Sequence, residues 1–312
     1  MLDEQNVDVI ADVAYSSVGL AVVALATERK RIVLNNSAAS DFTGMACSTI
    51  SVQWSYNSDA SAAALATALM GRGVSTIYMI SADYAYGHMI TTGLERFMEK
   101  AGGKVVGQLF HPLNNDDFSS FLLQAQQSEA KAVGIGSCGA TMVGLVKQAR
   151  EFQIDSKQEL VAACAIDMSQ IEGLGLSVAQ GLTGVSAFEW QRSPESVKWT
   201  REFVKRTGRF PTADQAATYS EVRHYLRSVE AAKTLDAAIV MAKMRELPIN
   251  DAYADNGHLR EDGQLVHDLY LVKIKTATES KETGDVDKIL EVLPGDKIFT
   301  PLSESVCPLV KK

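Results

Sequence analysis

The side chains able to do chemistry are few and scattered. The five histidines are His88, His111, His224, His258 and His267, and none has another histidine three or four positions on. That excludes the helical histidine pair of many zinc sites. The chain has no G-x-S-x-G, no H-E-x-x-H and no G-x-x-x-x-G-K-[ST], so the commonest hydrolase, zinc-protease and phosphate-loop signatures are absent. Cys47, Cys138, Cys164 and Cys307 include no C-x-x-C pair, which argues against structural zinc. Cys138 and Cys164 lie in or beside apolar runs and read as small buried side chains. Cys47 and Cys307 lie in turn-like contexts. A bridge between them would need an oxidising compartment.

One glycine motif needs weighing. Gly134-Ile135-Gly136-Ser137-Cys138-Gly139 reads G-x-G-x-x-G between a strand pattern and a helix pattern, the setting of a dinucleotide fingerprint. The acid expected roughly 20 residues on is misplaced: Asp155 comes before the next strand and Asp167 after it. Three readings stay open. The stretch is the nucleotide cradle of an NAD-type enzyme, a tight strand-to-helix turn, or a cleft loop whose N–H groups face a small ligand.

Other polar groups fall at strand ends. Ser16-Ser17 follows the apolar run Val7–Val13. There a serine either caps the next helix or joins its N–H groups in holding a carboxylate. Asn35–Asp41 is small and polar after the next strand, and reads as a surface turn or a ligand loop. Tyr84 and Tyr86 in Ser81–Gly87 offer flat faces with hydroxyls. Asp167 either meets a ligand ammonium or caps a helix starting near Met168. None is an obvious nucleophile or base.

The elements that must hold these groups follow a rhythm. Val7–Val13, Arg31–Asn35, Thr76–Ser81, Lys104–Phe110, Ala132–Gly136 and Leu160–Ile166 read as strands buried on both faces. Between them Ser17–Glu28, Asp59–Met70, Tyr86–Ala101, Phe118–Ser128 and Thr141–Phe152 read as helices. This alternation predicts an α/β fold with parallel sheets. The second half predicts helices over Glu195–Thr207, Thr212–Leu235 with a break near Lys233, and Asp236–Glu246. A turn at Asn256–Leu259 and a strand at His267–Lys275 follow. Thr276–Gly284 reads as a surface loop.

Composition bounds the function. The 312 residues are 46% hydrophobic and 22% charged, with net charge -8. Such a chain folds, and phosphate backbones and anionic membranes repel it on average. Nucleic acid is therefore not an expected partner. Apolar runs such as Val18–Ala26 fall short of the ~20 residues of a membrane helix, so no membrane insertion is expected. Met1–Gln5 lacks the basic and apolar stretches of a signal peptide, which at face value predicts a cytoplasmic chain.

The ordered set of motifs resembles the solute-binding proteins of ABC importers, of the leucine/isoleucine/valine (branched-chain amino acid) type. The matching stretches are Val7–Ile10 with Ser16-Ser17, Ser37–Thr43, Asp83–Gly87, Asn114–Gln126, Gly181-Leu182, Pro211–Tyr219 and Asn256–Asp268. The resemblance implies a type I periplasmic-binding-protein fold, with two doubly wound parallel-sheet lobes joined by three crossovers. Residues 1–72 and 188–266 would form lobe 1, and 73–187 with 267–275 lobe 2. Residues 276–312 would return to lobe 1, bringing Cys307 to Cys47. A disulfide between them would imply a periplasmic location.

The same resemblance places Ser17, Ala38 and Ser40 on the ligand carboxylate, with Ser16 as the neighbouring alternative. Tyr86 would cover the ligand, Asp167 would lie near its amino group, and Cys138 and Tyr219 would line the wall. Implied partners are a small amino or organic acid and ABC permease subunits; no enzyme activity, cofactor or metal is implied. Rival readings are the nucleotide-dependent enzyme and a ligand-sensing receptor domain of the same fold. Family members carry a further β-α unit before the region matching Leu2-Asp3, so lobe 1 is expected to lack its first β-α unit.

Overall fold

The computed structural model describes residues 4–311. Met1–Asp3, on which the readings of the amino terminus rest, and Lys312 lie outside the described residues. The chain forms two compact units. The first takes the stretch up to Asn57, Phe188–Asp268 and the tail from Pro294; the second takes Ser58–Ala187 and Leu269–Leu293.

The chain begins in the first unit with β1 (Val9–Ile10), α1 (Ser16–Glu28), β2 (Ile32–Asn35) and β3 (Ser51–Gln53). It then builds most of the second unit. The elements there are α2 (Ser58–Gly71), β4 (Thr76–Ala82), α3 (Ala85–Lys100), β5 (Lys104–His111), α4 (Ser119–Gln127) and β6 (Ala132–Gly136). They continue with α5 (Gly139–Glu151), β7 (Glu159–Ala162), α6 (Met168–Leu174), α7 (Leu176–Ala179) and β8 (Thr183–Ser186). Back in the first unit come α8 (Pro194–Thr207), α9 (Ala213–Ala232), α10 (Ala237–Glu246) and the hairpin β9 (His258–Leu259) with β10 (Leu265–Val266). β11 (Leu269–Ile274) and β12 (Asp287–Leu293) complete the second unit, and α11 (Gly295–Ile298) opens the tail.

In the first unit β1, β2 and β3 run parallel in that order. The second sheet has the order β12-β11-β8-β7-β6-β4-β5. Its strands β5, β4, β6, β7 and β8 are parallel, while β11 and β12 are antiparallel additions. The succession reverses at β4, since β5 lies on one side of it and β6 on the other. In open α/β sheets such a reversal opens a crevice at the strands' carboxyl ends.

Local signals explain the boundaries. All five residues of β6 are buried, as a strand covered on both faces requires. α8 starts with Pro194 behind Ser193, whose hydroxyl accepts the Ser196 N–H at 3.1 Å. α9 starts with a capping box of Thr212 and Gln215. It ends at Lys233, held at φ 54°, which matches the expected break. The second unit's core packs Tyr78, Ile80, Val133, Ile135 and Leu160 of the sheet against Leu122, Met142, Leu145 and Val146 of its helices.

Three boundaries differ from the sequence expectation. Residues 58–72 were expected in lobe 1, yet α2 belongs to the second unit. It packs on α3, where a Cβ at Gly93 would lie 3.1 Å from Ala62, and Asp59 pairs with Arg96 at 2.9 Å. Residues 276–312 were expected to return as one piece. Instead β12 pairs with β11, with Leu293 opposite Leu269, and only the chain from Pro294 goes back. The chain therefore passes between units four times. The expected strand Leu160–Ile166 ends at Ala162, where the chain bends toward Cys164.

Candidate functional site

In the first unit the groups meet at the carboxyl ends of β1 and β2. The loop after β2 is fixed to the loop after β1 by the Ser37 N–H, which donates to Val13 O at 2.9 Å. Gly19 of α1 lies under it: a Cβ there would sit 2.8 Å from Ser37 Oγ. Asn35 Oδ1 accepts from both the backbone N–H and the hydroxyl of Ser37. Gln53 Nε2 donates to Ser37 O and Ala39 O at 2.7 and 2.9 Å. These bonds leave the Asn35–Ser40 segment little freedom, although it is a loop.

α9 closes this end. Asn36 Nδ2 donates to Thr218 Oγ1 at 3.0 Å, and the Asp12 N–H donates to Glu221 Oε1 at 3.2 Å. Glu221 is fully buried, and desolvation raises its pKa well above the usual carboxylate value. Deeper still, Trp54 Nε1 donates to Ser220 Oγ, which donates to Asp251.

The expected residues fall around this end. Ser16 is buried and Ser17 exposed in the first turn of α1. Tyr15, at the helix N-cap position, makes no side-chain capping bond, and the first turn holds no acid. Ala38 is buried, and Ser40 is half-buried at the start of a 3-10 turn (Ser40–Phe42). Tyr219 is 44% exposed and packs its ring against Trp199.

In the second unit the loops after β4, β6 and β7 converge at the reversal point. Tyr86 is 1% exposed, and its hydroxyl donates to Ala163 O at 2.8 Å. It ties α3 to the turn after β7. Cys138 and Cys164 form a disulfide, so the reading of two separate buried thiols is corrected: the pair is a covalent link between the loops after β6 and β7. The Tyr84 hydroxyl lies 3.7 Å from Cys138 Sγ. Behind them His111 Nε2 hydrogen-bonds Ser137 Oγ at 2.7 Å, and burial holds its pKa down.

Asp167 has a structural task here. Its Oδ1 accepts the Ser169 N–H at 2.8 Å and the Ser169 hydroxyl at 2.6 Å, and it forms a capping box with Gln170. Asp167→Ala is expected to cost about 1 kcal/mol of unfolding free energy, while Asp167→Asn, still a good cap, keeps most of it. Urea denaturation of the two variants checks this.

The dinucleotide reading of Gly134–Gly139 does not hold. Gly134 and Gly136 lie inside β6 rather than in the turn after it. A Cβ at Gly134 would meet Met79 Sδ at 2.3 Å, and one at Gly136 would meet Ser81 Oγ at 2.0 Å. These glycines admit neighbouring side chains of β4. Only Gly139, at φ +59°, shapes the turn.

Sequence reasoning named Tyr84 only as a strand-end aromatic, and missed the bonds of Asn36 to Thr218 and of Asp12 to Glu221 and the Cys138–Cys164 pairing. Asn36 and Tyr84 sat inside stretches already singled out. The pairing has no signature at a separation of 26 residues. Cys47 and Cys307 also form a disulfide, across 260 residues.

Two α/β units, each gathering hydroxyls, amides and aromatic groups at the carboxyl ends of parallel strands, define a solute-binding protein rather than a catalyst. The periplasmic binding protein family model matches residues 1–281, and the chain belongs to that family. It is 34% identical to a periplasmic binding protein of Burkholderia mallei, with TM-score 0.95, covering 99% of this chain and 82% of that one. It is 31% identical to a branched-chain amino acid ABC transporter periplasmic ligand-binding protein of Burkholderia xenovorans, with TM-score 0.90, covering 99% and 83%. A Rhodopseudomonas palustris solute-binding protein, solved with 4-hydroxybenzoate, shares the fold at 18% identity and TM-score 0.84, covering 94% and 80%. No curated protein matches. No helix among the described residues is long and apolar enough to cross a membrane.

Proposed function

We propose that the chain is the solute-binding component of an ABC importer, working in the periplasm. It captures a small carboxylate-bearing solute and delivers it to the permease. The observation that carries this reading is the start of α1. Its first turn offers Ser16, Ser17 and the helix's leading N–H groups beside the Ala38–Ser40 loop, with no side-chain cap and no acid. A helix amino end attracts an anion. The ligand carboxylate sits there, held by Ser17 and Ser40. Tyr84, Tyr86 and the Cys138–Cys164 bridge form the wall in the second unit, and Tyr219 lies at the rim of the first. Closure on the ligand needs no covalent step; it needs only that the closed form bind the solute better.

The solute is a branched-chain amino acid or an aromatic acid, the kinds that the relatives' names carry. An amino acid would bring its ammonium to Asp167. The use of Asp167 Oδ1 in the capping box favours a solute without an ammonium.

Thermal unfolding against L-leucine, L-isoleucine, L-valine, benzoate and 4-hydroxybenzoate tests this. A solute at 100 times its Kd adds about 2.7 kcal/mol. Ser17→Asp sharpens the test, because an acid in the first turn of a helix stabilises it slightly. The variant should keep or gain thermal stability while its affinity for any carboxylate solute falls by about tenfold or more, from like-charge repulsion. Absence of a shift with every solute, or full affinity in Ser17→Asp, would remove the reading.

A further inference from the structure

The disulfide of the second unit sits where the sheet's own bonding stops. β6 and β7 are paired from Ala132 opposite Glu159 to Ile135 opposite Ala162. The last backbone bond beyond that is Ala163 N–H to Ile135 O at 2.9 Å. Past this point the strands diverge into the loops that carry Cys138 and Cys164. The bridge joins them one step beyond the ladder.

The amino end of α5 needs such a link. Cys138 occupies its N-cap position and makes no side-chain capping bond. α6, α8, α9 and α10 have caps from Asp, Ser or Thr, whereas α1, α3 and α4, like α5, have no side-chain cap. The next residue, Gly139, is at φ +59° with open space where a Cβ would be. An uncapped helix start beside an unpacked glycine is held weakly by its own bonds. The other end of the bridge is firmly seated. Cys164 is buried, Ala163 O receives the Tyr86 hydroxyl, and the capping box of α6 begins three residues on.

We propose that the Cys138–Cys164 bridge is the positioning element of the second unit's binding wall. It locks the start of α5, and with it Cys138 and Tyr84, to the seated turn after β7. The inference rests on the solute-binding reading above. Its consequence is that opening the bridge lowers solute affinity while the rest of the unit stays folded. A dithiol such as dithiothreitol opens it: the dithiol gives up two electrons and two protons, becoming a cyclic disulfide, and Cys138 and Cys164 each become a thiol.

The test uses the full chain with Cys47–Cys307 left intact. Cys138→Ala/Cys164→Ala is compared with the oxidised parent by calorimetric titration with L-leucine and 4-hydroxybenzoate, and by amide hydrogen exchange. A second pair, Cys138→Ser/Cys164→Ala, restores a capping side chain without the covalent link. The alanine pair should bind about tenfold more weakly. Its amides at 137–141 and 163–167 should exchange faster, with those of β4 and β6 unchanged. The serine pair should recover part of the affinity, which a simple loss of global stability would not allow. Equal affinity in parent and alanine pair, or unchanged exchange in both loops, overturns the proposal and leaves the solute-binding reading standing. Binding of neither probe, nor of any other solute of the panel, by the oxidised parent defeats that reading and this proposal together.

Discussion

Cys47→Ala/Cys307→Ala lowers the unfolding free energy by about 2–5 kcal/mol, more than loss of the other bridge. The Cys47–Cys307 link spans 260 residues of sequence and Cys138–Cys164 spans 26. If a disulfide acts by restricting the unfolded chain, the longer loop gives the larger effect, about 5.5 against about 3.5 kcal/mol in the chain-entropy model. Native contacts moderate the difference. The tail from Pro294 is also anchored by Phe299, which is buried, by Arg260 Nη1 donating to Thr300 O at 2.8 Å, and by the Gly295 N–H donating to Asp268 at 3.0 Å. Those contacts keep the tail docked in the folded variant, so the loss is felt in the unfolded state. Urea denaturation of the two alanine pairs side by side measures it. A smaller loss for the long loop than for the short one would show that strain or residual structure, not loop closure, sets the bridges' worth.

The sequence makes the scaffold legible where pattern and physics coincide. β4, β5 and β6 fall within a residue of the expected strands. A strand buried on both faces must be a short run of apolar residues, which holds for β4 and β6; β5 was expected to be buried likewise but is a partly exposed strand at the sheet edge. The end of α9 at Lys233 was equally plain. β8 escaped, since Thr183-Gly184-Val185-Ser186 has one large apolar residue and owes its place to β7 and β11 on either side. β12 escaped because its residues are mostly exposed at the sheet edge, so no burial pattern marks it. The division at Asn57 rather than after α2 is a packing fact: an alanine-rich helix fits either unit until its partner α3 is known.

The site was legible as loops more than as roles. Strand-end position picked out Ser16-Ser17, Asn35–Asp41, Ser81–Gly87 and Asp167, because that is a rule of the fold class. What each side chain does there depends on partners far away in sequence. Tyr86 finds Ala163 at 77 residues' distance, and Asn36 finds Thr218 at 182. The glycine motif left its readings open because the local pattern of a phosphate turn and that of a strand packed against bulky neighbours are the same.

Acid destabilises this protein through His267. The imidazole is fully buried, and burial lowers its pKa to about 4, with the Arg192 charge adding in the same direction. Nδ1 donates to Asp268 O at 2.9 Å, and Nε2 faces the Tyr253 hydroxyl at 3.4 Å. Tyr253 and Phe299 pack their rings beside it. A second proton would have to enter at Nε2, in a space closed to water. The folded pKa lies below the unfolded value, so the stability of the neutral form is complete above pH 6.5 and is lost as pH falls toward 4. From pH 7 to pH 4 the loss from this group is about 3 kcal/mol. His224, lowered chiefly by its own burial, adds to the slope. Glu221 opposes it: its raised pKa gives stability that is present at low pH and lost as pH rises. A variant isolates the histidine from these. His267→Asn keeps a donor near Asp268 O but cannot take a proton. It should be less stable than the parent at pH 7, from lost ring packing, and should lose about 3 kcal/mol less between pH 7 and pH 4. Urea melts of both proteins at the two pH values give the difference directly. Parallel losses would mean that the acid sensitivity arises elsewhere, with His224 the next group to replace.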